Sequence, residues 1–297
     1  MRYRDRRGNE ITGNEKQDRI LRLLYGTLAG RLLMKPLVRP VVSRIAGRFL
    51  NTKLSSFLAG AAVKKYRIDL SDYEERYFSS YNAFFRRKLI PGKRPVCAGK
   101  EILISPCDAK LLCIPVREGS RFRIKHSVYT LRSLLRNGKL AEKYEGGMLL
   151  VFRLTVDDYH HYCYIADGRK SKNVHIKGVF HSVNPFAVDE VPVYRENTRE
   201  YSVLENAGFG TVLMMEVGAM LVGKICNRHG ETLVSRGEEK GYFEFGGSTV
   251  ILGFEKDRIC LDADIIRNSR EQVETLVRMG ERIGTAAHAR ETEMLVH

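Results

Sequence analysis

The chain has 297 residues, 43% of them hydrophobic and 29% charged, so it can bury a sizeable core as one large domain or two modest ones. Lys and Arg outnumber Asp and Glu by 50 to 35, and the net charge of +15 favours an anionic partner, either nucleic acid or a membrane surface. Low-complexity tracts and uncharged runs near the ~20 residues that span a bilayer are absent from the sequence, which predicts a globular protein that is soluble or lies on a membrane.

The cysteine pattern argues against a disulfide framework and against a metal site. The six cysteines form no CxxC pair and have no metal-ligand spacing; they lie at positions 97, 107, 113, 163, 226 and 260. A secretory signal is not visible, because the first nineteen residues are highly charged and no continuous apolar segment follows them. We therefore expect reduced thiols in a cytosolic compartment and no bound metal.

The N-terminal part of the chain is predicted to be helical and basic. Residues 1–18 are polar, and we expect them to be frayed. From Arg19 to Leu50, apolar residues recur at helical spacing without an acid between them, and Pro36 and Pro40 should divide this segment into two or more helices. The residues alone favour equally an insertion at an anionic lipid interface and a helix packed on the core with a solvated basic edge. The cations beside the apolar face include Arg19, Arg22, Arg31 and Lys35.

After residue 90 the sequence pattern changes from one typical of helices to one typical of strands. Residues 54–90 are also predicted to be helical, with a cap region at Ser71–Glu74, and Pro91–Pro95 marks a boundary. β-Branched and aromatic runs separated by Gly, Asp and Asn then predict strands. These are Ile102–Ser105, Met148–Thr155, Tyr162–Ala166, Asn173–Ile176, Val212–Val217, Met220–Ile225 and Thr249–Phe254.

Two further segments complete the predicted layout. One short helix is expected within Ser127–Asn137, and Ser269–Met279 forms either a final helix or a strand that ends at Gly280. The sequence therefore predicts an α+β protein. An amphipathic helical region covers residues 1–90, and a β-rich domain resembling a barrel or sandwich covers residues 91–297.

The sequence GEEKGYFEFGGST, ending at Thr249, contains an unusual arrangement of glycine and serine. Two glycines directly before Ser248 leave the carbonyl of Gly247 unshielded by any side chain. A hydroxyl held against a bare carbonyl is the starting geometry for acyl transfer. The plainer interpretation is a Gly-Gly turn before a buried strand.

Three other clusters contain residues suited to chemistry. Asp108 follows a short apolar strand, where an acid after a proline is usually a turn former. His160 and His161 point to opposite faces if they lie in a strand, so we expect one functional and one structural histidine, and the spacing offers no third ligand for a metal. His181 and Asn184 lie in a polar turn that either binds substrate or is a plain surface turn.

Six motifs in fixed order resemble those of phosphatidylserine decarboxylases. They cover roughly residues 80–285 and read FFRRKLIPGKRP, SPCDAKL, DDYHHYCY, HSVNP, FGTVLMMEVGAMLVGKI and RGEEKGYFEFGGST. The resemblance implies a pyruvoyl enzyme that makes its cofactor from its own chain. Ser248 would attack the Gly247 carbonyl, and the cleavage would give a large chain, residues 1–247, and a small chain beginning at the pyruvoyl group formed from Ser248.

The resemblance also implies roles for individual residues. The pyruvoyl group would form a Schiff base with phosphatidylserine and yield phosphatidylethanolamine, without a metal or an external cofactor. Asp108 matches the acid that assists self-cleavage, and His160 matches the histidine associated with decarboxylation. Many members have a second histidine three residues later, where this chain has Cys163. The base for self-cleavage is therefore left open between His160, His161 and His181.

The anionic lipid substrate that the resemblance implies also helps to interpret the N-terminal segment and the location of the protein. It favours the interfacial interpretation of Arg19–Leu50 and a peripheral location on the cytoplasmic face of the cell membrane. The two cleaved chains would form a heterodimer, and a homo-oligomer is left open. Two alternatives are a non-catalytic protein that binds anionic lipid on the same scaffold and a nucleic-acid-binding protein. The second rests on charge alone, so no nucleic-acid partner is expected.

Overall fold

The computed structural model describes residues 2–13, 19, 23–124, 127–183, 193–219, 224–244 and 248–287, without the side chains of residues 31, 40, 44, 123, 124, 127 and 128. Within them the fold is α+β, as predicted. Helices dominate residues 23–66, and strands dominate from residue 102 onward. The helices are α1 Leu28–Leu37, α2 Pro40–Leu50, α3 Ser56–Tyr66, α4 Tyr81–Phe85, α5 Leu131–Leu135, α6 Gly138–Glu142, α7 Val193–Glu196 and α8 Ala263–Arg270.

Proline and capping residues explain how the N-terminal helices begin and end. The side chain of Thr27 accepts a hydrogen bond from Gly30 and starts α1, which ends one residue after Pro36. Pro40 is the first residue of α2, where its missing N–H would have no partner in any case. The predicted cap at Ser71–Glu74 is wrong: the side chain of Asp69 accepts from Ser71 at the start of a 3-10 turn.

The strands form one large sheet and three small ones. The strands are β1 Arg2–Arg4, β2 Glu10–Thr12, β3 Ile102–Ile104, β4 Ala109–Pro115, β5 Arg121–Ile124, β6 Ser127–Thr130, β7 Met148–Leu154, β8 His161–Cys163, β9 Gly168–Lys170, β10 Val174–Ile176, β11 Arg199–Asn206, β12 Gly210–Gly218, β13 Lys224–Asn227, β14 Thr232–Val234, β15 Glu239–Glu244, β16 Ser248–Phe254, β17 Ile259–Leu261, β18 Glu274–Val277 and β19 Arg282–Ala286. The large sheet has the order β14-β9-β11-β12-β16-β7-β4-β18-β1-β2, with β10 beside β11. The small sheets are β13-β15-β8, β17-β19-β3 and β5-β6.

The middle of the large sheet carries the main core. Every residue of β16 is buried, and the strand lies between β12 and β7 in antiparallel register. Strands buried in this way read as continuous apolar runs, which is why Val250–Phe254 was recognisable in the sequence. A smaller cluster around Ala59, Ala62 and Phe84 joins α3 to α4.

The first residues of the chain are not frayed as expected, at least over the described part, residues 2–13. Strand β1 pairs with β2 and runs parallel to β18, with Tyr3 opposite Glu274. The guanidinium of Arg6 contacts the carboxylates of Asp262 and Asp264. A polar segment can extend a sheet edge in this way because backbone hydrogen bonds and ion pairs, rather than apolar burial, hold it.

Other boundaries differ from the sequence prediction by a few residues. Strand β8 covers His161–Cys163 rather than Tyr162–Ala166. Of the predicted strand Met220–Ile225, residues 220–223 lie outside the described part, and the last two residues lie in β13. For Ser269–Met279, the strand alternative is right: α8 ends at Arg270 and β18 follows. The short helix predicted within Ser127–Asn137 is α5.

Candidate active site

Ser248 lies at the junction between two sheets. It is the first residue of β16, it is fully buried, and it lies opposite Gly218 on one side and Leu154 on the other. Strand β15 of a small sheet ends only four residues earlier, at Glu244. Gly247 lies outside the described residues, so its predicted role is not addressed by the structure. Among the described residues, no hydrogen-bond partner contacts Ser248 Oγ.

A buried ion pair ties the strand before Ser248 to the strand beside it. Lys240 on β15 donates to Glu216 on β12 at 2.8 Å, and both side chains are 0% exposed. Asn227 contacts both partners, accepting from Lys240 at 2.9 Å and donating to Glu216 at 3.0 Å. Both ends of the 245–247 segment are therefore anchored to β12, one through Lys240 and the other through the pairing of Ser248 with Gly218.

Asp108 lies at the same end of the large sheet as Ser248, but its carboxylate binds Arg94 and the main chain of Met279. It directly precedes β4, and β7 separates β4 from β16, so roughly 10 Å of sheet lies between the two backbones. Arg94 donates three hydrogen bonds to the Asp108 carboxylate, at 2.7, 3.0 and 3.1 Å, and the Met279 N–H donates a fourth at 2.8 Å. Burial lowers the pKa of Arg94, but the hydrogen bonds and charge of Asp108 outweigh it and raise this pKa overall.

His160 is a buried histidine, and one of its two ring nitrogens has no partner among the described residues. Its Nδ1 lies 2.9 Å from the carbonyl oxygen of Asp158 and donates to it, because a carbonyl only accepts. Nε2 is thereby left as the acceptor, and no described residue partners it. Burial, and then the charge of Arg87, lower the pKa of His160 well below its usual value. The ring is therefore neutral at pH 7 and carries a lone pair suited to accepting a proton.

Two buried cations hold the loop that carries His160. Arg87, 0% exposed, donates to the carbonyl oxygens of Asp158 at 2.7 Å and Asp157 at 3.0 Å. Lys110 donates to both carboxylate oxygens of Asp158 at 2.8 Å. The loop is thus fixed from both its main chain and its side chain, which orients the His160 ring against Phe85, at 3.8 Å between ring centroids.

His161 has different surroundings from its neighbour. Its ring stacks between Tyr159 and Tyr242, with centroids 4.6 and 5.2 Å away. Its Nδ1 lies 3.2 Å from a carboxylate oxygen of Glu239, and its Nε2 lies 3.3 Å from the carbonyl oxygen of Arg86. Both nitrogens lie near acceptor oxygens, so a neutral ring, which has one N–H, can donate to only one of them. The stacking of the ring on two tyrosines suits a structural histidine.

The structure places His181 near the strand that pairs with Ser248. Its Nε2 lies 3.2 Å from Glu196, and its Nδ1 is buried without a described partner. Asn197 binds the His181 backbone and also donates to the carbonyl of Gly218, the residue opposite Ser248. Burial lowers the pKa of His181, against the opposing effect of Glu196. Asn184 lies outside the described residues.

Cys163 occupies the place where the resemblance predicts a second histidine. It is buried, its N–H donates to Pro106 at 2.9 Å, and burial raises its pKa to about 12. The thiol is protonated at neutral pH and cannot serve as a base. Among the described residues, three or more His, Cys, Asp or Glu side chains nowhere group as a metal site would require.

The N-terminal helices and the turn after them expose nine large apolar side chains between residues 28 and 57. We call this set the apolar face; its members are Leu28, Leu32, Leu33, Leu37, Val41, Ile45, Phe49, Leu54 and Phe57. Arg19 and Lys35 are also exposed, whereas Arg22 and the side chain of Arg31 lie outside the described part. From Arg19 to Ile68 the sequence contains no acidic residue. None of the described helices is long and apolar enough to cross a membrane.

Sequence reasoning missed Arg94, Asn197 and the Lys240–Glu216 pair. Arg94 lies within the FFRRKLIPGKRP motif, and Lys240 lies within the RGEEKGYFEFGGST motif. A charged residue inside a specific motif was the available signal in both cases. Asn197 had no such signal, because its three partners are all backbone groups.

Comparisons with known proteins show the family of the chain. A family model described as phosphatidylserine decarboxylase matches residues 81–285. Phosphatidylserine decarboxylase proenzyme 2 of Clostridium acetobutylicum is 44% identical over 265 residues, covering 89% of this chain and 91% of that protein. Proenzymes of Ruminiclostridium cellulolyticum and Clostridium novyi are 39% and 38% identical, and each comparison covers at least 90% of both chains. The chain therefore belongs to the phosphatidylserine decarboxylase family.

Proposed function

We propose that this chain is a proenzyme that cuts its own backbone between Gly247 and Ser248 and then decarboxylates phosphatidylserine to phosphatidylethanolamine. Family membership supports the reaction. The buried hydroxyl of Ser248 at the start of β16, which has no hydrogen-bond partner among the described residues, supports the site. Burying a hydroxyl without a hydrogen bond costs free energy, so its retention there points to a chemical rather than a structural role.

The proposed cleavage uses only atoms of the chain and water. Ser248 Oγ attacks the carbonyl carbon of Gly247, the C–N bond breaks, and the amine nitrogen takes the proton, which converts the amide into an ester. Loss of the Ser248 Cα proton and of the Cβ–O bond then releases the large chain with a C-terminal carboxylate. The dehydroalanine that is left takes up water and releases ammonia, which leaves a pyruvoyl group.

Two features of the fold fit such a group. The His160 carbonyl accepts from the N–H of Phe243, five residues before Ser248, and the Nε2 lone pair of the neutral ring has no partner among the described residues. Gly218 opposite Ser248 presents no side chain, and a Cβ there would lie only 3.0 Å from the ring of Phe180. A pyruvoyl group supplies the electron sink that decarboxylation at the α-carbon of an amino acid requires. We assign the proton exchange at that carbon to His160, whose ring and loop are oriented by contacts with Asp158 and Arg87, and a structural role to His161.

The two products of cleavage are expected to remain one molecule. The small chain contains β16 to β19, and the large chain contains all earlier strands. Strand β16 lies between β12 and β7, and β18 lies between β4 and β1. Because the strands of the two chains alternate within one sheet, separating them requires the sheet to unfold.

The helical N-terminus supports docking on an anionic membrane. Nine exposed apolar side chains lie between residues 28 and 57, within a stretch whose charged residues are all basic. Such a face inserts at the headgroup level while its cations bind anionic lipid. We therefore place the enzyme as a peripheral protein on the cytoplasmic face of the cell membrane, with phosphatidylserine as both substrate and docking lipid.

Intact mass spectrometry of wild type beside Ser248→Ala tests the proposal. Wild type should give two chains, the smaller with a blocked N-terminus, and Ser248→Ala should stay at 33.9 kDa because it lacks the attacking oxygen. Cys163 favours one second candidate, a non-catalytic lipid-binding protein, which would stay whole in both samples. Two chains from Ser248→Ala would overturn the assignment of Ser248.

A further inference from the structure

Asn197 is a buried asparagine whose carboxamide joins two parts of the proposed site. It is 0% exposed and follows helix α7 directly. Its Oδ1 accepts from the His181 N–H at 2.7 Å, and its Nδ2 donates to the His181 carbonyl at 2.8 Å and to the Gly218 carbonyl at 2.7 Å. The carboxamide uses both donors and its acceptor on the main chain.

These contacts connect His181 to the residue that is cut. Gly218 lies directly opposite Ser248 across the β12–β16 pair, and its N–H donates to Thr198, the residue after Asn197, at 2.9 Å. Both polar groups of the Gly218 backbone are thus held by residues 197 and 198. A shift of the His181 turn would therefore move the strand edge against which Ser248 is aligned.

The N-terminal helices hold the same turn from the other side. The phenol oxygen of Tyr25 accepts from the Ser182 N–H at 3.0 Å, and the Val38 carbonyl accepts from the Phe180 N–H at 3.0 Å. The rings of Tyr25 and His181 lie 6.0 Å apart between centroids. With its backbone fixed on both sides, His181 has one nitrogen at Glu196 and the other buried without a described partner.

We propose that Asn197 is a positioning residue for self-cleavage, which locks the His181–Glu196 pair to the Gly218 backbone beside Ser248. The inference rests on the proposed function and adds a role for His181 as the proton-transferring group in maturation. Cys163 leaves this role vacant at its usual place in the chain, since its thiol is buried and protonated. Only a side chain with a donor and an acceptor at this length can make all three contacts.

The test compares Asn197→Asp with Asn268→Asp. Aspartate keeps the size of the side chain but cannot donate to the two carbonyls, so the rate of conversion into two chains should fall by about 10²-fold, the effect of a misplacement near 1 Å. Asn268 is equally buried; it donates to Thr275 on β18 and accepts from Arg4 at 3.2 Å, so its variant controls for an aspartate at a buried asparagine position away from Gly218. Conversion is followed on denaturing gels from the time of synthesis.

A double variant separates positioning from simple destabilisation. If Asn197 acts through His181, then Asn197→Asp should slow conversion no further when it is added to His181→Ala. Independent losses that multiply in the double variant, or conversion of Asn197→Asp at the wild-type rate, would overturn the inference. Conversion of His181→Ala at the wild-type rate would overturn the inference as well. The proposed function would still stand in each of these cases if wild type gives two chains and Ser248→Ala gives one.

Discussion

Two adjacent histidines have different environments. We therefore expect that replacing one will mainly lower turnover and that replacing the other will mainly lower thermal stability. Among the described residues no protein atom lies near enough to bond His160 Nε2, whereas His161 has an oxygen within 3.3 Å of each nitrogen and its ring stacks on two tyrosines. We expect His160→Ala to lower phosphatidylethanolamine formation by 10²-fold or more, the usual contribution of general acid–base catalysis. His161→Ala is the matched control and should lower thermal stability more than the turnover of the fully processed protein. Equal turnover losses in the two variants would contradict the assignment.

The lowered pKa of His160 also predicts how stability depends on pH. In the unfolded chain this histidine binds a proton near pH 6.5, whereas in the folded protein burial keeps it neutral to lower pH. The unfolded state therefore binds more protons below about pH 6.5, and the free energy of unfolding falls as the pH falls through this window. Denaturant titrations at pH 7.5 and 5.5 should show this loss, and it should be smaller in His160→Gln. An equal loss in both proteins would show that His160 is not responsible.

At the scale of elements, the buried Lys240–Glu216 pair joins β15 of a small sheet to β12 of the large sheet, and we expect it to contribute to the free energy of unfolding. Removing one member leaves a buried charge unpaired, so Lys240→Met should lower the free energy of unfolding by about 3–5 kcal/mol, and adding Glu216→Leu should restore most of it. The measurement uses the uncleaved Ser248→Ala protein, so that one chain unfolds.

A control variant comes from an ion pair on the surface. Arg169 and Glu231 lie 2.8 Å apart and are both exposed, so Arg169→Met should leave the unfolding midpoint almost unchanged. If Lys240→Met were as mild as this control, the two sheets would not depend on the pair. If the double variant stayed as unstable as the single one, packing rather than charge would be the cause.

At the scale of the whole molecule, the apolar face predicts salt-sensitive membrane binding. Replacing Leu28 and Leu32 by Glu should abolish binding to phosphatidylserine vesicles, because it puts charge where apolar side chains insert. Leu233→Glu is the control, since Leu233 is equally exposed but lies on edge strand β14. Wild-type binding should weaken as salt is added. Unchanged binding to neutral vesicles at high salt would contradict the electrostatic part.

These point substitutions are preferable to truncation because the two ends of the chain share one sheet. Strand β1 pairs with β18, which belongs to the proposed small chain, so deleting residues 1–50 would remove an edge of the catalytic sheet together with the membrane helices. Loss of vesicle binding in such a deletion would not distinguish docking from unfolding.

Local patterns of the sequence determined much of the layout. Buried strands such as β7 and β16 read as continuous apolar runs, and the N-terminal helices follow a 3.6-residue period, so both were recognisable without any long-range information. Motif order then identified Ser248, Asp108 and His160 as candidates. The strand and helix signals depend on the spacing of neighbouring residues, whereas the motif signal depends on the order of six motifs over roughly residues 80–285.

Only the tertiary structure decided which groups meet. The polar residues 2–12 became strands because β18, more than 260 positions away, offers them a free edge. Arg94 reached Asp108, and Asn197 reached Gly218, through contacts that leave no periodic trace in the sequence. The two histidines could be assigned to opposite faces from their spacing, but their roles depended on what each face contacts. Burial and hydrogen-bond partners set those roles, and both arise from packing between distant segments.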